Sequence, residues 1–88
     1  MVIPADYVCG KQVIGDAFQD ESVIRQFEHK VAISNDIVFD AKRWTNMKAW
    51  MNSNFRDYWC LSFSTNIPIA YEIRMLRFED AILLKLKL

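Results

Sequence analysis

Glycine and proline are scarce in this chain, two of each, and so are cysteine, two, and histidine, one. Each shortage excludes something. With so little Gly and Pro, the chain is neither loop-dominated nor disordered in composition. Gly10 and Gly15 build no phosphate-binding loop, and no dinucleotide fingerprint is present. Cys9 and Cys60 are too few for a disulfide framework. His29 would need carboxylates or those two thiols as co-ligands, and no local spacing groups them, so no metal site and no cofactor is expected. A Cys-His nucleophilic pair has no surrounding signature either. The adjacent acids Asp20/Glu21 and Glu79/Asp80 stand at expected helix starts, where the helix dipole favours negative charge. The chain is therefore expected not to be an enzyme.

Net charge is also missing. Eleven basic residues balance eleven acidic ones, which removes the electrostatic footprint of a dedicated nucleic-acid binder. The balance hides a division: residues 1–40 carry a net −4 and residues 41–88 a net +4. The halves can cancel by folding together, or the basic half can face an acidic partner. No run approaches the roughly 20 apolar residues that span a bilayer, and no signal-peptide pattern opens the chain. A soluble cytoplasmic protein is expected, with residues 1–88 as a single domain.

Apolar and aromatic residues are abundant. About half the residues are apolar (52%), which lets a short chain build a dense core. All three tryptophans, Trp44, Trp50 and Trp59, fall within sixteen residues. Periodicity predicts a short edge strand at 7–14 and a helix at about 20–32, capped by Asp20, with Val23, Ile24, Phe27 and Val31 on one face. Ile37-Val38-Phe39 reads as a buried strand within 36–40. Asp40 then caps a helix over 41–54, ended by Asn52-Ser53-Asn54 through a left-handed cap. Residues 57–64 and 69–78 alternate in period two around Thr65-Asn66-Ile67-Pro68, which predicts an antiparallel hairpin. Segment 79–88 fits either one helix or a turn followed by a strand.

The expected fold class is α+β: a small antiparallel sheet with helices packed on one face, in split β-α-β (ferredoxin-like) order. Its core would be Trp44, Met47, Met51, Phe55, Trp59, Leu61, Phe63, Tyr71 and Ile73. The opposite sheet face, carrying Tyr58, Cys60, Ser62, Glu72 and Arg74, would be open.

On a helical wheel for 41–54, Trp44, Met47, Met51 and Phe55 lie within about 60° of each other, and Trp50 lies about 105° from the centre of that stripe. Its neighbours are Arg43, Asn46 and Asn54. Trp and Arg dominate interface hot spots, so Arg43, Asn46, Trp50 and Asn54 form the expected partner-binding patch. The alternating tail Ile82 to Leu88 offers a second contact, through which a homodimer could form by strand pairing.

The ending Arg77-Phe78-Glu79-Asp80-Ala81-Ile82-Leu83-Leu84-Lys85-Leu86-Lys87-Leu88 resembles the tail of many small orphan proteins of large tailed bacteriophages. Those close with a strand, an acidic "EDA" turn, and alternating hydrophobes and lysines. Here Leu84 stands where an aromatic is usual, and Leu88 where a tryptophan often stands. The resemblance implies a class, short viral proteins that bind and inhibit or modulate host machinery, and it transfers no active-site residue. A host protein is thus the expected partner. The alternatives are a nucleic-acid module using Tyr58 and Arg74 or the basic helix 41–54, and a small structural component of a virion.

Overall fold

Two alternating strands joined as a hairpin form the middle of the sheet, because each carries one apolar and one polar face. They appear as β4 (Trp59–Phe63) and β5 (Tyr71–Met75) in the computed structural model, which describes residues 8–13, 26–63 and 70–88. The other elements are β1 (Val8–Cys9), β2 (Gln12–Val13), β3 (His29–Ile33), α1 (Asn35–Phe39), α2 (Ala41–Asn54) and α3 (Phe78–Lys87). The class is α+β. The sheet is mixed, in the order β1-β2-β4-β5-β3. β5 is antiparallel to both β4 and β3, and β2 runs parallel to β4. β3 and β4 therefore run parallel on either side of β5.

Register assigns the faces. Leu61 pairs with Ile73, and Ile73 with Val31, so Trp59, Leu61, Tyr71, Ile73, Met75, Val31 and Ile33 point to one side. α2 covers that side with Met51 and Phe55, and α3 covers it with Ala81 and Leu84. Ile37, Val38, Trp44, Met47 and Trp50 fill its margins, half-buried. Trp44 meets the buried Trp59 edge to face, with centroids 6.2 Å apart.

Several expectations need correction. Residues 29–32 were expected to close a helix, yet they belong to β3; the period-two alternation of Lys30, Val31, Ala32 and Ile33 prevails over the helical spacing of Phe27 and Val31. Residues 26–28 of that expected helix are a turn and irregular chain, and its first part, about 20–25, lies outside the described residues. Ile37-Val38-Phe39 is helical rather than a strand. The Ser34 hydroxyl accepts from the Asp36 N–H at 3.2 Å, and this cap starts α1 in spite of the β-branched run. The expected strand at 7–14 is split in two by a tight turn at Gly10-Lys11. α2 does end at Asn54, but on an extended Phe55 whose N–H donates to the Met51 carbonyl, without a left-handed residue. Segment 78–87 is one helix, so strand pairing by the tail is ruled out. The ferredoxin-like order is not established by this sheet, in which β2 occupies the side of β4 away from β5. The expected hairpin and the Asp40 cap are present; Asp40 Oδ1 accepts from the Arg43 N–H at 3.0 Å. The side chain of Phe63, expected in the core, lies outside what is described.

Two polar side chains, the half-buried Asn52 and the buried Asp80, lock the elements together. Asn52, on α2, accepts at Oδ1 from the indole Nε1 of Trp59 (3.0 Å) and from the backbone N–H of Lys11 (3.0 Å). Lys11 in turn accepts the Trp59 N–H on its carbonyl (3.0 Å) and donates from Nζ to the Phe55 carbonyl. Gly10 adopts φ 65° here while Lys11 takes no positive φ, as a type II′ hairpin turn requires. The positive φ calls for glycine, and a Cβ at Gly10 would also sit 3.0 Å from the Asn52 side chain, which would have to shift. Asp80, on α3, is fully buried; its Oδ1 accepts from the Arg56 N–H (3.0 Å) and its Oδ2 from the Asp57 N–H (3.3 Å).

Stranding a buried N–H costs roughly 1–3 kcal/mol. Asn52→Ala and Asp80→Ala each take the acceptor from two N–H groups in part-buried hydrogen bonds, so each should lower the unfolding free energy by about 2 kcal/mol in urea titrations. Their exposed neighbours Ser53→Ala and Glu79→Ala should stay within about 0.5 kcal/mol of the parent. Equal urea midpoints for Asn52→Ala and Ser53→Ala would show that the junction carries no stability.

Candidate partner-binding cleft

α2 supplies one wall of a surface cleft. Its capped first turn places Arg43 at the third helical position, and one helical turn further on come Asn46 and Met47. The other walls are Ile37 from α1 and Lys87 from the last turn of α3. Together these five residues border an open cleft of about 230 Å³. Trp50 lies next along the same side of α2. Its ring is half-buried, meeting Phe55 edge to face at 5.9 Å, and Lys87 Nζ stands 5.7 Å above its centroid. Trp50 thus joins the margin of the core while its upper side meets a cation.

The four residues of the expected patch are therefore placed as follows. Arg43 and Asn46 are exposed and line the cleft. Trp50 adjoins it through Lys87. Asn54 is exposed but its amide donates to the Trp50 carbonyl at 2.8 Å, so it finishes the helix rather than lining the cleft. Ile37 and Lys87 were absent from the expected patch. Lys87 becomes visible only if the tail is read as a helix, where Asp80, Leu84 and Lys87 recur at i, i+4 and i+7.

The cleft is electropositive. Among the described residues the ion pairs join Arg74 to Glu72 (3.5 Å) and Arg77 to Asp57 (3.6 Å); Arg43 and Lys87 have no carboxylate partner. Arg43 also occupies the first turn of α2, the positive end of the helix dipole, which the Asp40 carboxylate caps through the Arg43 N–H.

The opposite sheet face is not open as expected. Cys60 is 3% exposed and packs with Val13 and Phe27 in a second small core, flanked by Tyr58 and Leu76. Arg74 donates from Nε to the Ser62 hydroxyl (3.2 Å), pairs with Glu72, and Ser62 donates to Glu72 Oε1 (3.3 Å). The proposed stacking residue is thus packed at a core margin and the proposed cation is paired with an acid. Of the basic helix's lysines, Lys48 sits over the Trp44 ring at 5.9 Å. His29, on β3, packs its ring at 5.7 Å from Phe78. No three His, Cys, Asp or Glu side chains among the described residues come together as metal ligands, and none of the described helices is long and apolar enough to cross a membrane.

Burial pushes the Cys60 thiol from an ordinary 9.0 up to about 12; Arg74 pulls the other way and Glu72 adds to the rise. A thiol held protonated is a poor nucleophile.

No family model, curated protein or solved structure matches the chain.

Because the folded pKa of Cys60 lies above the unfolded one, its contribution is complete below pH 9 and is lost as pH rises towards 12. The stability of the parent should therefore fall more steeply between pH 9 and 11 than that of Cys60→Ala. Parallel pH profiles for the two proteins would show that the thiol is not desolvated.

Proposed function

We propose that this is a small non-enzymatic binding protein, phage-encoded, which engages a host protein through Arg43, Asn46 and Trp50 and thereby inhibits or modulates it in the host cytoplasm. The observation that carries this reading is the convergence of Arg43, Asn46 and Lys87, none of them hydrogen-bonded or ion-paired through its side chain among the described residues, on one cleft beside a half-buried tryptophan. Arg and Trp side by side are what interface hot spots are made of. The phage-like ending supports the viral origin and the host target. The course β3-α1-α2-β4, with β5 inserted between the two parallel strands, supports reading the framework as a split β-α-β arrangement that serves to present α2. A nucleic-acid role is less well supported, since Arg74 is paired with Glu72 and Tyr58 is packed at a core margin.

A second contact has its own support. α3 leaves Phe78, Ile82, Leu83 and Leu86 exposed, with Leu86 at 80%. Glu79 lies in its first turn and Lys85 in its last. Two copies laid antiparallel along this stripe bring acidic end to basic end, which favours a symmetric homodimer through the segment Ile82 to Leu88.

Tagged protein recovered from host lysate should bring down one stoichiometric protein, identified by mass spectrometry. With that protein purified, Trp50→Ala and Arg43→Ala should each weaken binding, the first by about thirty-fold or more, while circular dichroism shows both variants folded. Wild-type affinity in both folded variants would move the binding surface elsewhere. For the homodimer, Ile82→Glu with Leu86→Glu should convert a dimer to a monomer in light scattering; a parent that is monomeric at about 0.1 mM would overturn it.

A further inference from the structure

The cleft's chemistry specifies what enters it. Two cations, the Arg43 guanidinium and the Lys87 ammonium, flank a space whose remaining walls are the Asn46 amide and the apolar Ile37 and Met47. No carboxylate lines it, and among the described residues none pairs with either cation. Among the described residues, then, no carboxylate discharges either cation. Lys87 is held in place by the Trp50 ring, 5.7 Å below its Nζ, and that contact pre-positions the charge without discharging it. The N-terminal end of α2 is capped by Asp40, whose Oδ1 takes the Arg43 backbone N–H, so the positive character of the cleft rests on the two side-chain cations.

We infer that the cleft receives a carboxylate side chain, Asp or Glu, from an apolar stretch of a partner polypeptide. This rests on the protein-binding reading above and specifies its chemistry. A guanidinium takes a carboxylate through two parallel N–H···O bonds, and a lysine alongside adds a third donor. Asn46 has an N–H₂ to offer the same oxygens. Ile37 and Met47 meet the aliphatic stem of the acid or its apolar neighbours. A free phosphate or a nucleic-acid backbone satisfies the cations but leaves those two walls without apolar contact. A polypeptide with an acid between hydrophobes satisfies both.

The full-length protein, labelled with ¹⁵N, is titrated with acetyl-Leu-Glu-Leu-amide, with acetyl-Leu-Gln-Leu-amide and with inorganic phosphate. Shifts are followed at the Asn46 side-chain amide, the 43–47 backbone and the Trp50 indole. The Glu peptide should give saturable shifts at all three, and the Gln peptide should bind roughly tenfold more weakly, the size expected for losing a charge-assisted pair. Arg43→Gln and Lys87→Gln should each cost the Glu peptide several-fold and leave the Gln peptide unaffected. Equal binding of the two peptides, with shifts at Trp50, overturns the carboxylate claim and leaves the protein-binding patch standing. Phosphate binding more tightly than the Glu peptide assigns the cleft to a phosphate-bearing ligand and also overturns it. No saturable shift on α2 with any probe defeats the carboxylate claim; the patch itself is then judged by the Trp50→Ala and Arg43→Ala binding assay.

Discussion

One carbonyl oxygen, Oδ1 of Asn52, ties together three parts of the chain that local sequence would never associate. It takes the indole N–H of Trp59 and the Lys11 N–H, so α2, the β1–β2 turn and the start of β4 share a single acceptor. Trp59 could not be wholly buried without it, because its Nε1 would then lack a partner in a dry interior. With Trp59 in place, Trp44 and Phe55 acquire a surface to pack on, and the sheet acquires its buried face. Gly10 is the matching constraint on the other side: its positive φ strains any side chain, and a Cβ there would press on Asn52. The short β1–β2 hairpin is accordingly held by α2 as much as by its own two pairings.

The most legible parts of the sequence were those where one interaction range decides the outcome. The β4–β5 hairpin follows from strict alternation in both strands, and α2 follows from Asp40 and a 3.6-residue stripe. Where two signals of similar strength overlapped, reading failed. Val31 sits both four residues after Phe27 and two before Ile33; only pairing with β5 decides for a strand. Ile37-Val38-Phe39 has strand composition, but Ser34 can start a helix and the core edge accepts Ile37 and Val38 in either form. The alternation Leu84-Lys85-Leu86-Lys87-Leu88 was equally ambiguous, and the resolution lies in Asp80 and Leu84, both buried, four residues apart on one helical face. Long-range contacts such as Asp80 with the 56–57 backbone leave no trace in local pattern.

The candidate site was half legible for the same reason. Arg43, Asn46 and Trp50 share a side of one helix, which spacing alone reveals. Lys87 joins them only through tertiary packing, and it changes the character of the patch. Trp50, off the main stripe of α2 and open to either burial or exposure by spacing alone, is half-buried, tucked against Phe55 and capped by a cation. The recognition chemistry thereby moves from an exposed aromatic anchor towards a positively charged notch with an aromatic floor. On the other sheet face the opposite happened: alternation suggested a solvent-facing surface, while Val13 and Phe27, from remote segments, close over Cys60 and turn part of it into core.

The Asp80 attachment has a mechanical consequence for that notch. α3 is pinned near its first turn to the connection that leaves α2, whereas the cleft lies at the far end of α3, at Lys87, and along the first half of α2. α3 is held a second time between that pin and its tip, because Leu84 is fully buried among the core side chains three residues before Lys87. Seven residues of helix, about 10 Å, separate Asp80 from Lys87, and the span rests on both anchors. The Lys87 side of the notch is therefore placed by the core itself, and a change that loosens Leu84 would reach the cleft without touching any residue that lines it.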